Sequence, residues 1–206
     1  MTIVLVGDAF TGKAKVAKAI IEETQGRFER VRFHTDAPAM PKNKYIFESY
    51  VDLDATDIAW KYVYRSRNFF VTKQQFTRSD AIVCVDDPNI LRHLDSLGVP
   101  LAVVCVNSPL SVMVKRALKA EAETVEMLDR FYDIAPRSHT FVENQNYSFY
   151  IDTSKIKGKC LKHAVHLFVD KLVEWEREMN PSSRKMLTLV EKYGTTRSRE
   201  SGFLLV

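Results

Sequence analysis

The stretch TIVLVGDAFTGKAKVAKAII, residues 2–21, decides the fold of this chain. Its residues 3–6 form an unbroken apolar run rich in β-branched side chains, which is typical of a strand buried on both faces. Gly7, four further residues and the pair Gly12-Lys13 follow, and from Lys13 onward the apolar residues recur at helical spacing. This order of strand, glycine loop and helix predicts an anion cradle, because loop N–H groups and a helix N-terminus both face the same point.

The glycine loop indicates a binding site for the phosphate chain of a nucleotide. Lys13 stands where a lysine can reach the β- and γ-phosphates. The predicted phosphate-binding residues are consecutive: Gly7, Asp8, Ala9, Phe10, Thr11, Gly12, Lys13, Ala14 and Lys15. Two alternatives stay open. The loop could be a tight turn with an exposed lysine, and Lys15 is either a second phosphate contact or an exposed residue of the first helical turn.

The residue after Lys13 departs from the usual motif. A serine or threonine at that point supplies the hydroxyl that holds Mg²⁺. This chain has Ala14, followed by Lys15 where some related loops place the hydroxyl. Because neither side chain is a magnesium ligand, the sequence favours phosphate binding and leaves open how a metal would be held.

Asp86 is the candidate metal ligand. It directly follows the buried run 81–85, and an acid at the carboxyl end of a parallel strand lies where such sheets bind ligands. The alternative is an acidic cap for the helix expected after Pro88, which is the role that we assign to Asp87.

Composition limits the class of protein. A chain of 206 residues with 46% hydrophobic and 27% charged residues is typical of one globular domain. It has no apolar run of membrane-spanning length and no signal peptide pattern, and its three cysteines are widely spaced, so we expect a cytoplasmic protein with reduced thiols. A net charge of +4 without a basic, aromatic-rich patch favours phosphorylated small molecules over nucleic acid or membrane, with the chain acting as a monomer or homodimer.

Buried apolar runs alternate with helical patterns along the chain. Strands are predicted at 31–33, 81–85, 101–106 and 147–151, and helices at 89–97, 108–119, 121–135 and 158–179. The aromatic-rich residues 45–64 are ambiguous and fit a helix that starts near Asp54 or Thr56. Strands separated by helices predict an α/β fold of the P-loop NTPase type, a three-layer sandwich in which helices flank a parallel sheet.

Several segments resemble P-loop nucleoside monophosphate kinases, and within them the guanylate kinase group, over most of residues 1–175. GDAFTGKAKV (7–16) resembles the family's phosphate loop, HTDAPAMP (34–41) its HTTRxPRP segment, and NFFVTKQQF (68–76) its YxFVSxEEF segment. AIVCVDDPN (81–89) is similar to the LLDIDVQG strand, and AVVCVNSPLSVMVKRAL (102–118) to the strand and helix before the lid. VEMLDRFYDIA (125–135) and YSFYIDTSKI (147–156) resemble the segment after the lid and the closing strand.

The resemblance implies an ATP-dependent phosphotransferase that uses Mg²⁺ and acts on a nucleoside or deoxynucleoside monophosphate. It implies a kinase-like domain over 1–180, with an acceptor-binding insert at about 34–78, a lid at about 116–136, and a C-terminal tail at 181–206. Arg130 matches a phosphate-contacting arginine of the family, and together with Lys13 and Arg116 it completes the expected catalytic cations. The candidate acceptor-binding residues are Thr35, Arg65, Arg67 and Asp86.

The arginines also have ordinary interpretations. Arg116 and Arg130 belong to helical patterns rich in acidic residues, where surface pairing four residues apart explains them equally well. For Arg65 and Arg67, the alternative to acceptor binding is that both are solvated surface charges.

One departure supports a second hypothesis. The family's acceptor-holding arginines have no match in 34–41, where Asp36, Ala37 and Ala39 stand. Together with Ala14, this fits a nucleotide-binding protein of the same fold that is catalytically impaired and binds a partner, with the tail as a docking segment. A third hypothesis is phosphorylation of a different small acceptor.

Overall fold

The computed structural model describes residues 1–36, 45–47, 55–64, 67–77, 80–119, 147–154 and 159–178. The strands in chain order are β1 (Thr2–Val6), β2 (Glu29–Arg30), β3 (Phe33–Thr35), β4 (Tyr45–Phe47), β5 (Ile58–Tyr64), β6 (Arg67–Thr72), β7 (Ala81–Val85), β8 (Leu101–Asn107) and β9 (Phe149–Asp152). The α-helices are α1 (Lys13–Glu23), α2 (Gln74–Thr77), α3 (Ile90–Asp95), α4 (Leu110–Lys119) and α5 (Lys159–Glu178), and a 3-10 helix spans Ala55–Asp57.

A five-stranded parallel sheet in the order β2-β7-β1-β8-β9 forms the centre of the fold. Its central strand, β1, pairs with β7 on one side and β8 on the other, and every residue of β1 is buried. This double burial explains why the strand reads as a continuous apolar run instead of an alternating one. The predicted α/β fold with a parallel sheet is confirmed.

The two faces of this sheet are covered by different partners. On one face, residues of β1 such as Ile3 and Leu5 pack against α1 and α5, with Phe168 fully buried at the centre. On the other face, Val4 and Val6 share a core with α3 and with a second sheet. The predicted helices at 89–97, 108–119 and 158–179 are confirmed with slightly shorter bounds, whereas the one predicted at 121–135 lies outside the described residues.

The second sheet has the strand order β4-β3-β6-β5, and the chain builds it after leaving the main sheet at β2 and before returning at β7. The predicted strand at 31–33 was therefore wrong in its bounds, because β2 ends at Arg30 in the main sheet and Phe33 begins a strand of the second one. This sheet lies within the segment predicted as an acceptor-binding insert.

The residues left ambiguous by the sequence do not form the helix considered from Asp54 or Thr56 where they are described, because the chain makes one 3-10 turn and then enters β5. Side chains in β5 alternate: Trp60 is buried and Tyr62 half-buried, while Lys61 and Val63 face outward. Aromatic residues with this period of two favour a strand. A bulge between Ile58 and Trp60 interrupts the alternation.

An ionic cluster links the chain before β1, the chain before β7 and the segment between α1 and β2 to helix α5. Asp80, just before β7, accepts hydrogen bonds from the N-terminal ammonium and from Nε of Arg27, each at 2.6 Å. Arg27 also forms a forked contact with Glu176 of α5. Burial works to raise the pKa of Asp80, but the two hydrogen bonds outweigh it and hold the pKa below its ordinary value.

No helix in the described part of the chain has the length and apolar character needed to cross a membrane.

We expect Asp80→Asn to lower the free energy of unfolding at pH 7 by about 1–3 kcal/mol, the usual range for hydrogen bonds to a charged group. Because the folded-state pKa of Asp80 is lowered, its contribution is present above about pH 4 and is lost as the pH falls through the folded-state value. Urea unfolding of both proteins at pH 7 and pH 3 tests this, with the exposed Asp95→Asn as control. An equal difference at both pH values would contradict it.

Candidate phosphate-binding site

The glycine loop leaves the central strand through a narrow gap. A Cβ atom on Gly7 would lie only 2.0 Å from the Val106 carbonyl oxygen of β8, far closer than van der Waals contact, so no larger residue fits there without moving the backbone. Gly7 N–H donates to the carbonyl oxygen of Val85 on the other neighbour, at 3.3 Å. The loop is thus held between β7 and β8 at the carboxyl end of the sheet, where parallel sheets bind ligands.

Two residues give the loop its curvature. Phe10 and Gly12 both have left-handed backbone conformations, with φ values of 64° and 99°. Gly12 is the N-cap residue of α1 and has no side chain to cap it. The first turn of α1 therefore keeps N–H groups without intrahelical acceptors, which is the usual basis of an anion site at a helix N-terminus.

Lys13 turns back into the loop instead of extending into solvent. Its Nζ donates to the carbonyl oxygens of Gly7 at 2.6 Å and Asp8 at 2.7 Å, and forms an ion pair with Oδ1 of Asp86 at 2.8 Å. The residue is only 8% exposed. Since an ammonium group has three N–H donors, these three acceptors use all of them.

Arg116 of α4 lies on the other side of the loop. Its Nη1 donates to the carbonyl oxygens of Phe10 at 2.9 Å and Thr11 at 3.0 Å, with Oγ of Ser108 at 3.5 Å. The same nitrogen is 3.0 Å from Oγ1 of Thr153, and Nη2 donates to the Thr153 carbonyl oxygen at 2.8 Å. Of the predicted catalytic cations, Lys13 and Arg116 therefore meet at this loop, and Arg130 lies outside the described residues.

Thr153 is a member of the site that the sequence analysis missed. It follows β9 directly, is 5% exposed, and its Oγ1 donates to the Thr11 carbonyl oxygen. Its backbone N–H donates to the carbonyl oxygen of Asn107, at the end of β8. Its position directly after a parallel strand could have identified it as a site residue, because the same position identified Asp86.

Asp86 and Asp87 have separate roles. Asp86 faces the loop and pairs with Lys13, as described above. Asp87 accepts a hydrogen bond from the backbone N–H of Asn89 at 3.0 Å, and Asn89 itself is the N-cap of α3. Asp87 thus stabilises the turn before the helix and is not its N-cap, so that detail of the prediction is wrong.

The loop is suited to a phosphate chain but offers little to a magnesium ion. The exposed side chain of Ala14 is a methyl group, and the carboxylate of Asp86 is bonded to an ammonium. No cluster of three or more His, Cys, Asp or Glu residues with metal-binding geometry occurs in the described ranges. The residues present therefore do not fit a metal held directly by the loop.

Two of the predicted acceptor-binding residues, Thr35 and Arg67, lie on the second sheet, whereas Asp86 follows β7 of the main sheet. Thr35 is fully buried in β3, and Arg67 is exposed at the start of β6. Asp36 accepts hydrogen bonds from Asn68, at 2.9 Å from its N–H and 2.7 Å from its Nδ2, which ties β3 to β6. Arg65 lies outside the described residues.

The thiol of Cys105, which pairs with Val6 just before the loop, stays protonated at neutral pH. Burial raises the pKa of Cys105 to about 12, with the carboxyl group of Asp8 acting in the same direction. The described cysteines are all free, as expected from the sequence.

Comparison with known proteins identifies the fold of this chain but does not assign it to a family. No family model matches the chain, and no curated protein matches its sequence. Similar solved structures include a guanylate kinase from Anaplasma phagocytophilum, with a TM-score of 0.50 and 8% identity over 93% of both chains. Another is a shikimate kinase from Acinetobacter baumannii in complex with shikimate, with a TM-score of 0.45 and 11% identity over 84% of this chain and 93% of that one. At 8% identity, the likeness to guanylate kinase shows a P-loop kinase-like fold and no more.

We expect Ala14→Ser to make ATP binding depend on magnesium. The new hydroxyl would stand where the usual motif holds Mg²⁺, and Ala14 is exposed, so the substitution has room. Calorimetric titration with ATP should give the unmodified protein nearly the same affinity in Mg²⁺ and in EDTA, whereas the variant should bind at least about tenfold more tightly in Mg²⁺. Equal magnesium dependence of both proteins would contradict this view of the loop.

Proposed function

We propose that this chain is an ATP-dependent phosphotransferase whose acceptor is a nucleoside or deoxynucleoside monophosphate. The observation that carries the proposal is the loop from Gly7 to Lys13, which lies at the carboxyl end of the central strand with a buried lysine inside it. Phosphoryl transfer needs positioning and charge neutralisation more than covalent chemistry, and this is what such a loop can supply.

In this proposal Lys13 contacts the β- and γ-phosphates of ATP. Its three donors are engaged by loop carbonyls and Asp86, so an incoming phosphate oxygen has to replace one of these acceptors. Asp86 is the acceptor that can be replaced most readily, because the two carbonyl oxygens belong to the loop itself. Once displaced from Lys13, the carboxylate of Asp86 would face the reacting groups, where it would orient the acceptor.

The second sheet is the proposed acceptor-binding region. It follows β2, shares a hydrophobic core with β1, and carries an exposed Arg67 on β6, the neighbour of the strand that holds the buried Thr35. It also presents Asp36 where the resembling family has arginines, and a carboxylate repels a phosphate. This supports an acceptor pocket built from other residues, and the identity of the nucleobase is part of what has to be tested.

A second candidate function is nucleotide binding without turnover. Two features favour it: Ala14 offers no metal ligand, and Lys13 is engaged in an ion pair with Asp86. Under this alternative the chain binds nucleotide and acts through a partner protein.

The deciding experiment measures ATP consumption against a panel of ribo- and deoxyribonucleoside monophosphates. We expect turnover that requires one monophosphate and that falls at least about 100-fold in Lys13→Ala, because a buried cation near the transferred group is lost. Lys18→Ala, an exposed change on the same helix, serves as the control and should be unaffected.

Two results would change the proposed function. Turnover that survives Lys13→Ala would contradict a catalytic role for the loop. Absence of turnover across the panel, with ATP still bound in calorimetry, would favour the second candidate.

A further inference from the structure

We propose that Arg116 is a positioning residue that sets the conformation of the P-loop from its outer side and does not contact the nucleotide. The inference deepens the proposed function, on which its ligand-binding consequences rest. It gives Arg116 a different role from the phosphate-contacting arginine expected from the sequence.

Two cations together hold four carbonyl oxygens of the loop. Lys13 takes those of Gly7 and Asp8, and Arg116 takes those of Phe10 and Thr11. A cation attracts carbonyl oxygens and repels N–H groups. Each cation therefore favours the peptide orientation in which the carbonyl oxygen faces it and the N–H points away.

The orientation of a carbonyl fixes the orientation of the next N–H. A trans peptide is planar, so its C=O and N–H point in opposite directions. When Arg116 holds the Thr11 carbonyl oxygen, the N–H of Gly12 must point away from Arg116. The bond to the Phe10 carbonyl oxygen likewise turns the N–H of Thr11 away, and that N–H donates to the Asp8 carbonyl oxygen at 3.4 Å. Arg116 thereby closes the turn of the loop through Thr11 and directs the Gly12 N–H away from α4, which is the arrangement that an anion-binding loop needs.

The backbone at this point requires such support. Phe10 has a φ of 64°, a conformation that costs free energy for any residue with a side chain. Gly12 follows at 99°. Residues keep such conformations only where several contacts of the surrounding structure hold them. Here the guanidinium of Arg116 supplies two of these contacts, because it bonds the carbonyl oxygens of Phe10 and Thr11, which lie between the two left-handed residues.

The contacts of the guanidinium hold it against the loop and Thr153. Both terminal nitrogens are bonded to protein: Nη1 to the loop and to Oγ1 of Thr153, and Nη2 to the Thr153 carbonyl oxygen at 2.8 Å. Thr153 also bonds the loop itself, because its Oγ1 donates to the Thr11 carbonyl oxygen. Arg116 and Thr153 therefore form one unit, defined here as the outer brace of the loop.

A lysine would reproduce the charge of Arg116 but not the brace. It has a single donor nitrogen and cannot bond the loop and the Thr153 carbonyl oxygen from two fixed points. Arg116→Lys therefore separates a positioning role from a purely electrostatic one. Thr153→Val removes the hydroxyl at nearly constant volume, and Thr153→Ser retains it.

The test measures binding of ATP and of tripolyphosphate, which consists of the phosphate chain alone, in each variant. We expect Arg116→Lys, Arg116→Ala and Thr153→Val each to weaken tripolyphosphate binding at least about tenfold, while Thr153→Ser retains most of the affinity. The double variant Arg116→Lys/Thr153→Val should lose less than the sum of its parts, because the two residues act as one unit. Lys115→Ala, which removes an exposed charge from the same helix, should bind like the unmodified protein.

A second measurement needs no ligand. In amide NMR spectra of the nucleotide-free protein, Arg116→Lys and Thr153→Val should shift the Thr11 and Gly12 resonances and leave the middle of α1 unchanged. If Arg116→Ala does not fold, the lysine and valine variants still provide the answer.

Specific outcomes would overturn the inference. Tripolyphosphate affinity that is retained in Arg116→Lys and lost in Arg116→Ala would mean that the charge of Arg116 acts directly on phosphate. Unchanged loop resonances in both brace variants would mean that the loop keeps its shape without the brace. If the unmodified protein binds neither ATP nor tripolyphosphate, the proposed function fails, and the NMR result still decides the brace.

Discussion

The close approach of Gly7 to the carbonyl oxygen of Val106 is the constraint on which the rest of the site depends. β1 is paired on both sides, so its chain can leave the sheet only through the space between two neighbouring strands. A glycine lets the backbone turn there, and the loop then returns to start α1 beneath the same strand. That return brings Lys13 to within hydrogen-bonding distance of the Gly7 carbonyl oxygen, so the strand end and the helix start close on each other.

The buried charge of Lys13 has two consequences for ligand binding. An ammonium that is 8% exposed needs acceptors for each of its donors, and the loop and Asp86 supply them. Under the proposed function, an anionic ligand has to compete with a carboxylate for this ammonium. The free energy of phosphate binding would then be the difference between two well-bonded states, which makes the direction of the surrounding N–H groups more important than the charge alone.

The sequence was sufficient for those parts of the site that are local in the chain. The spacing of Gly7, Gly12 and Lys13 encodes the loop within seven residues, and the continuous apolar runs identified the central strands. It was insufficient where distant residues decide the structure. Thr153 reaches a carbonyl oxygen 142 positions away, and no pattern around it records that contact. In residues 58–64 the aromatic side chains satisfy a helical or an alternating pattern, and pairing with β6 selects the strand.

The second sheet is joined to the main sheet by a shared core, and this limits how the proposed acceptor region can move. Trp60, Val71 and Phe76 are buried in the same hydrophobic cluster as Val4 and Val6 of the central strand. Exposing one large aromatic side chain from such a cluster costs about 2–3 kcal/mol, so a motion that separated the sheets would be strongly disfavoured. The strand that ends in the P-loop is thus also the strand against which the acceptor region packs. Under the proposed function, side-chain packing would therefore set the distance between a phosphate on the loop and an acceptor on the second sheet, as a reaction that depends on alignment requires.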